Sequence, residues 1–143
     1  MGLWQYSLDM ATRILIADDD STIRMLLRRL LEGHAAWEVC GEASTGSDAI
    51  EKANQLDPDL VILDFAMPNK NGIQAAQEIS HTHAGIPMLL VTVQQISRQL
   101  AEVAQRVGFR GAVTKSSGSE VVRGVDAITR NQTYFSVDES VSA

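Results

Sequence analysis

Short apolar runs alternate along this chain with longer segments in which apolar residues recur every three or four positions. The runs are too short for helices, and near-continuous apolar runs of this length are typical of strands buried on both faces of a sheet. One run instead alternates apolar and polar positions, which also favours a strand. The pattern predicts five strands, at 14–17, 37–43, 60–64, 88–92 and 111–114.

Start and stop signals predict a helix after each strand. Ser21 can cap the first helix and Gly33 can end it, and Ser47 is expected to open the second. The second helix should end at Asp57, because the residue before a proline avoids the helical region. The apolar positions expected to face inward on the first helix are Ile23, Leu26, Leu27, Leu30 and Leu31.

The three later helices are predicted from similar signals. Asn71 can cap the third helix, and the sequence 117–120 has the form of a capping box that opens the fifth. Gly108 should end the fourth helix, whose apolar face is expected to comprise Ile96, Leu100, Val103 and Val107.

Alternation of strands and helices predicts an α/β domain with a doubly wound, five-stranded parallel sheet between two helical layers. In such a sheet, ligands bind beyond the carboxyl ends of the strands, where the strand order reverses. The polar residues expected at those ends are Asp18, Asp19, Asp64, Thr92 and Lys115.

The acidic residues at two of these strand ends indicate a metal site. Carboxylates held close together raise one another's pKa and resist joint ionisation unless a cation neutralises them. A few carboxylates with water molecules form a site that suits Mg²⁺. We therefore expect Asp18, Asp19 and Asp64 to share a magnesium ion.

Size and charge narrow the class of protein further. A chain of 143 residues fits one domain. Its formal net charge of -6 argues against nucleic-acid binding by the domain itself, which would need a clustered basic surface. No apolar stretch is long enough to cross a membrane, and the start of the chain lacks the features of a signal peptide, so a cytoplasmic location is expected. Cys40, the single cysteine, is interpreted as a structural thiol.

Five sequence pieces together resemble the receiver domain of two-component response regulators, the CheY-like family. They are 15–21, 58–68, 71–72, 91–92 and 113–115, which occur in the order of the family and cover about 13–130. The resemblance implies a flavodoxin-like fold with strand order 2-1-3-4-5. It divides the chain into an N-terminal extension (1–11), a receiver domain (12–131) and a tail or start of a linker (132–143).

The resemblance also implies a role for each residue of the site. Asp64 corresponds to the phospho-accepting aspartate, and Asp18 and Asp19 to the acidic pair that positions Mg²⁺. The backbone carbonyl of Ala66 would be a further metal ligand. Asp20 falls outside the pair and is expected to begin the loop or cap the first helix. Thr92 and Lys115 would contact the phosphoryl oxygens.

The implied function is that of a switch. A receiver accepts a phosphoryl group from a sensor histidine kinase and changes its partner-binding surface, and it is not an enzyme beyond its own phosphotransfer and slow autodephosphorylation. The tail resembles receivers that precede a LuxR/NarL-like helix-turn-helix domain. DNA binding would need such an output domain, which is absent from these residues, and the resemblance also allows a homodimer.

Four positions depart from the family pattern. Ala112 stands where receivers usually carry a tyrosine or phenylalanine coupled to the threonine, and Phe109 is a weak substitute because it lies on a turn. Ser116 stands where many receivers have a proline after a cis peptide. Ala66 and Gln94 occupy positions that affect access of water to the phosphoryl group, so a different phosphate lifetime is expected.

Two other functions compete with a phospho-accepting switch. A degenerate receiver would act as an interaction or dimerisation module without phosphorylation, and Ala112 favours it while the complete acidic, threonine and lysine set opposes it. A flavodoxin-like enzyme or nucleotide binder is disfavoured, because the chain has no Gly-rich phosphate loop.

Overall fold

A computed structural model describes residues 11–141, and within them a parallel sheet lies between two layers of helices. The strand order is β2-β1-β3-β4-β5-β6, which confirms the predicted 2-1-3-4-5 order and adds one strand at the edge. The strands are β1 (Thr12–Ala17), β2 (Trp37–Ala43), β3 (Leu60–Asp64), β4 (Met88–Thr92), β5 (Gly111–Thr114) and β6 (Tyr134–Phe135). The helices are α1 (Ser21–Glu32), α2 (Gly46–Leu56), α3 (Gly72–Thr82), α4 (Arg98–Val107) and α5 (Gly118–Thr129).

The apolar strands lie at the centre of the molecule because both faces of the sheet are covered. β3 and β4 are buried along their whole length. Alternate residues of each strand enter two cores. One core contains Leu15 and Leu63 with residues of α2, α3 and α4, and the other contains Ile14 and Ile62 with residues of α1 and α5. The three-layer architecture predicted from the sequence is confirmed.

Polar side chains cap the helices at positions that differ in part from the prediction. Asp20, rather than Ser21, caps α1 by accepting hydrogen bonds from the amides of Thr22 and Ile23. Thr45 caps α2, so the predicted start at Ser47 is wrong by two residues. Thr45 has the β-region backbone that an N-cap requires, whereas Ser47 already lies within the helix.

The other caps also follow from local sequence. Asn71 and Gln74 form a capping box at α3, as the sequence indicated for Asn71. Ser117 caps α5 as predicted. The side chain of Glu120, which a capping box would direct to the backbone of Ser117, instead accepts a hydrogen bond from the hydroxyl of Tyr134. Ser97 caps α4, and Gly108 ends it with a φ of 112°, a left-handed conformation that favours glycine.

Two predicted core positions on α1 are exposed. Leu27 and Leu31 are buried against the sheet, whereas Leu26 is 52% exposed and Leu30 is 38% exposed. The apolar stripe of α1 is wider than the one sheet face that the helix contacts, so its outer leucines lie at the surface. The prediction that all five apolar residues face the core was wrong at these two positions.

The sixth strand lies in the segment that sequence analysis assigned to a tail or linker. Tyr134 and Phe135 pair in parallel with Gly111 and Ala112 of β5, and Val137 forms an isolated bridge with Ile96. Ile96 therefore precedes α4 and belongs to the β4–α4 connection, so its predicted place on the helix was wrong.

The predicted N-terminal extension lies outside the described residues except for Ala11. Among the described residues, no helix has the length and apolar character needed to cross a membrane.

Candidate phosphoryl-acceptor and metal site

Two buried aspartates meet at the carboxyl edge of the sheet. β1 and β3 are parallel neighbours with Ala17 opposite Leu63, so the residues that follow these two lie side by side. Asp18 is fully buried and Asp64 is 2% exposed. The exposed Asp19 completes the cluster, and the three residues offer carboxylate oxygens that all lie within 4.8 Å of one another. The structure thus brings the predicted acids together.

Asp20 is directed away from this cluster by its role at α1. Its carboxylate accepts hydrogen bonds from Thr22 and Ile23, while its own amide donates to Asp18 Oδ1 at 2.9 Å. The turn therefore places Asp20 as the cap of α1 and holds Asp18 in position at the edge of the sheet. The side chain of Asp20 caps the helix, as the sequence allowed.

Lys115 lies between the two buried carboxylates. Its Nζ is 2.7 Å from Asp18 Oδ2 and 3.1 Å from Asp64 Oδ1, and its side chain is only 12% exposed. The backbone amide of Lys115 donates to the carbonyl of Thr92 at 2.8 Å, which fixes the chain where β5 ends. An ammonium group held in this way partly neutralises the cluster and faces the atom that would be modified.

The electrostatics of the site oppose full ionisation of Asp64. Burial, reinforced by the charge of Asp18, raises its pKa from 3.8 to about 6, although the hydrogen bond from Lys115 acts in the opposite direction. Burial alone would lower the pKa of Lys115, but its contacts with Asp18 and Asp64 outweigh burial and raise it. The lysine is therefore a fixed positive charge at neutral pH, and the acidic cluster retains an excess of negative charge.

The donor set fits a hard divalent cation. Asp18 Oδ2 is buried and accepts no well-aligned hydrogen bond, even though Lys115 Nζ is close to it. A buried carboxylate oxygen whose partner is a single ammonium can still accept from another group, and coordination to a cation would use this capacity. Clustered carboxylates with room for water are the ligands of Mg²⁺. The acidic cluster of Asp18, Asp19 and Asp64 could therefore hold a metal ion.

The turn after β3 carries the backbone group expected to assist the acids. The amide of Ala66 donates to Asp64 Oδ1 at 3.4 Å, so this exposed peptide folds back over the carboxylate of Asp64. Gly72 permits the return of the chain into α3, because a Cβ at that position would lie 2.4 Å from the carbonyl oxygen of Asp64. Only glycine allows this close approach of the helix start to the strand end.

Thr92 ends β4, which lies beside β3 and Asp64. Asp64 pairs with Val91, so Thr92 lies one residue beyond that register and is 2% exposed. Its hydroxyl accepts a hydrogen bond from the amide of Gln94 at 3.3 Å. A buried hydroxyl at the start of the β4–α4 connection can also donate to a group at the neighbouring strand end.

Sequence reasoning missed an arginine that supports the acidic turn. Arg24 of α1 donates through Nη1 to the carbonyl oxygen of Asp18 and through Nε to Glu42 at 3.0 Å. Glu42 also accepts from Arg28 at 2.7 Å, and that bond is the main cause of the lowered pKa of Glu42. The tertiary structure brings Arg24 to the carbonyl of Asp18. In the sequence, the only indication of this contact was the short distance along the chain from Asp18 to the first turn of α1, which contains Arg24.

The other departures from the family pattern have plain structural counterparts. No peptide bond among residues 11–141 is cis, so the bond between Lys115 and Ser116 is trans. Ala112 is buried in the core beside β6, and Phe109 is 3% exposed in the same core. The aromatic residue adjacent to Ala112 in the sheet is Phe135 of β6.

Fold, acidic cluster and lysine together define a receiver, and comparison with known proteins agrees. The family model described as the response regulator receiver domain matches residues 14–125. The chain therefore belongs to the response regulator receiver domain family of two-component systems.

Among individual relatives, the chain is 36% identical over 106 residues to the chemotaxis protein CheY of Halobacterium salinarum, covering 74% of this chain and 86% of that protein. It is 30% identical over 125 residues to the response regulator GacA of Pseudomonas viridiflava, covering 87% of this chain and 58% of GacA. The chain thus spans little more than half the length of GacA.

A solved structure with the same fold is a two-component response regulator of the LuxR family from Aurantimonas sp. SI85-9A1. It has a TM-score of 0.82 and 30% sequence identity, and the match covers 87% of this chain and 89% of that chain. The receiver domain of the putative regulator NarL from Mycobacterium tuberculosis is also similar, with a TM-score of 0.78 at 26% identity over 85% of this chain and 98% of that chain.

Proposed function

We propose that this receiver accepts a phosphoryl group on Asp64 from a sensor histidine kinase and uses Mg²⁺ to do so. The observation that carries the proposal is the position of Lys115, whose ammonium lies within 3.1 Å of Asp64 Oδ1 and also contacts Asp18. A salt bridge that only stabilised the fold would not need a further exposed acid, yet Asp19 completes a set of oxygens able to bind a cation.

The reaction is a displacement at phosphorus. A carboxylate oxygen of Asp64 forms a bond to the phosphorus of a phosphohistidine, and the bond from phosphorus to the histidine nitrogen breaks. The imidazole keeps the electron pair of that bond and can take a proton from solvent. Catalysis of such a transfer comes mainly from positioning and charge stabilisation, so a weak nucleophile suffices.

Each residue of the site has a definite part in this proposal. Asp18, Asp19, Asp64 and the carbonyl of Ala66 would hold Mg²⁺, which when bound neutralises the oxygens of the transferred group. Lys115 neutralises part of the same charge, because its ammonium already contacts the acceptor. Thr92 donates its hydroxyl to a phosphoryl oxygen from the adjacent strand end.

The alternative function is that of a degenerate receiver that binds a partner without being phosphorylated. Ala112 favours it, because this buried residue has no aromatic side chain to change position with the state of Thr92. The acidic cluster and lysine oppose it, since a chain that needed no phosphorylation would have no use for a buried and electrostatically costly set of carboxylates.

Intact mass measurement after incubation with acetyl phosphate and Mg²⁺ separates the two functions. The phosphorylating receiver gains one phosphoryl group per chain, and the gain is abolished in Asp64→Ala and retained in Glu51→Gln, which changes an exposed acid on α2. The gain should also be lost when Mg²⁺ is removed with a chelator. A wild-type chain that gains no mass with several small donors, while remaining folded, would support the degenerate receiver.

The downstream role is proposed from the relatives. The matched relatives include LuxR-family regulators and GacA, which is longer than this chain. We propose that the receiver regulates an output function, through a DNA-binding domain or through contact with another protein, in the cytoplasm where a histidine kinase would meet it. Dimerisation of the chain stays a prediction from the family.

A further inference from the structure

The C-terminal segment of residues 134–139, named here the strap, joins the sheet edge to the connection that follows Thr92. The amides of Tyr134 and Ser136 donate to the carbonyls of Arg110 and Ala112, each at 2.9 Å. Further along, the amide of Asp138 donates to the carbonyl of Ile96 at 2.8 Å. One short segment is therefore bonded both to β5 and to the β4–α4 connection.

Apolar contacts hold the strap in the same two places. Phe135 and Val137 pack on the core that contains Ile96 and Ala112, and Val137 bridges to Ile96. Ala112 lies opposite Phe135 in the register, and its small side chain leaves room for the aromatic ring. At Gly111 a Cβ would lie 2.7 Å from the carbonyl oxygen of the paired strap residue. Both β5 residues are thus matched to the strap.

The middle of the connection between Thr92 and α4 is exposed to solvent. Val93 is 79% exposed, and the next two residues are exposed as well, whereas Thr92 and Ile96 are buried. Residues 93–95 are therefore exposed and separate two buried residues. Thr92 has its hydroxyl at the proposed acceptor site, and Ile96 contacts the strap. Ile96 is the first buried residue after Thr92, so a displacement of Thr92 would reach the packed core again at Ile96.

We propose that occupancy of the Asp64 site releases the strap by moving Ile96, so that the strap reports the state of the site to the surface beside β5. This rests on the proposed function. The direction follows from the contacts: the strap bonds require Ile96 at its present place, so any displacement of the connection weakens them. The Asp64 site and the strap then both act on the position of the connection that carries Ile96. Occupancy of the site should therefore weaken binding of the strap, and loosening of the strap should strengthen binding at the site.

The direct test is amide hydrogen exchange, measured by NMR on the full chain with and without beryllofluoride and Mg²⁺ as a stable mimic of the phosphoryl group. We expect exchange at Ser136 and Asp138 to accelerate at least fivefold when the mimic binds. Asp64→Ala should abolish this acceleration. Protection of amides near Asp18 and Ala66 reports binding of the mimic independently of the strap.

The reciprocal test uses variants of the strap. Phe135→Ala loosens the strap and should raise the affinity for the mimic at least threefold, and Phe135→Leu, which keeps an apolar contact, should give a smaller rise. Glu139→Gln is the matched control, because this strap residue pairs with Arg98 only through side chains that are each 67% exposed. Its affinity should match that of the wild type.

The outcomes separate the two proposals. If the mimic binds and protects the acidic turns while exchange in the strap and the affinity of Phe135→Ala are unchanged, the strap is a static edge strand and the coupling is wrong. If the mimic does not bind and no donor phosphorylates the wild type, the proposed function fails and the coupling fails with it.

Discussion

Replacing Asp64 with asparagine should stabilise the metal-free protein at alkaline pH. Asp64 is 2% exposed, and its pKa is raised from 3.8 to about 6, chiefly by burial. At about 1.4 kcal/mol per pH unit this shift corresponds to about 3 kcal/mol of destabilisation by the ionised form. Asparagine lacks the charge and can still accept a hydrogen bond from Lys115. We therefore expect the free energy of unfolding of Asp64→Asn to exceed that of the wild type by about 2–3 kcal/mol at pH 8.

The sign of the pH dependence follows from the direction of the shift. An acid whose pKa is higher in the folded chain than in the unfolded chain favours folding when protonated. The stability contributed by Asp64 is therefore present below pH 3.8 and is lost as the pH rises through about 6. The advantage of asparagine should be small near pH 4, grow between pH 4 and 6, and be constant above that range.

Urea denaturation followed by circular dichroism, with a chelator present throughout, measures this difference. Glu51→Gln is the control for loss of one surface acid, and it should change the unfolding free energy by less than about 0.5 kcal/mol. Added Mg²⁺ should stabilise the wild type more than Asp64→Asn, so the difference between their free energies of unfolding should become smaller. If Asp64→Asn is no more stable than the wild type at pH 8, or if its advantage does not vary with pH, the electrostatic account of the site is wrong.

Three further experiments test other parts of the structure. Leu27→Ala should destabilise the fold by about 2–5 kcal/mol and Leu26→Ala by less than about 0.5 kcal/mol, because only Leu27 is buried, and urea denaturation compares these neighbours directly. Arg24→Ala should weaken Mg²⁺ binding about tenfold by calorimetry, since it loses the bond that holds the acidic turn, while Arg29→Ala, an exposed change on the same helix, should not. Gly72→Ala should cost about 1–3 kcal/mol, because its Cβ would lie 2.4 Å from the carbonyl oxygen of the acceptor residue; a melting temperature equal to that of the wild type would contradict this close approach.

The sheet and the acidic cluster could be predicted from sequence because both follow from local patterns. Apolar runs identify buried strands, and the parallel arrangement places the residues after each strand at one edge. The proximity of Asp18 and Asp64 could be predicted from sequence alone, because each follows an apolar run and the two runs form neighbouring strands in the structure. Their degree of burial and the position of Lys115 between them come from tertiary packing.

The features that sequence reasoning missed depend on contacts between distant parts of the chain. Leu26 has the spacing of a core residue, but the single sheet face beneath α1 is too narrow to cover it. Arg24 reaches the carbonyl of Asp18 only after α1 packs beside β1. β6 has two residues, too few for a periodic signal, and it forms because Gly111 and Ala112 leave space beside the sheet edge.

Charge balance at the site explains why occupancy should move the connection beyond Thr92. Three acids and one ammonium leave an excess of two negative charges when all are ionised, which one divalent cation neutralises. The proposed phosphorylation would replace the carboxylate charge of Asp64 with a phosphoryl group of about -1.5 to -2 charge, so the net charge of the site would become more negative. Lys115 is already held by two carboxylates, and the hydroxyl of Thr92, at the neighbouring strand end, is a further group that can donate. If that hydroxyl is drawn towards the new charge as proposed, the connection that carries Ile96 would be displaced, and the strap would report this movement.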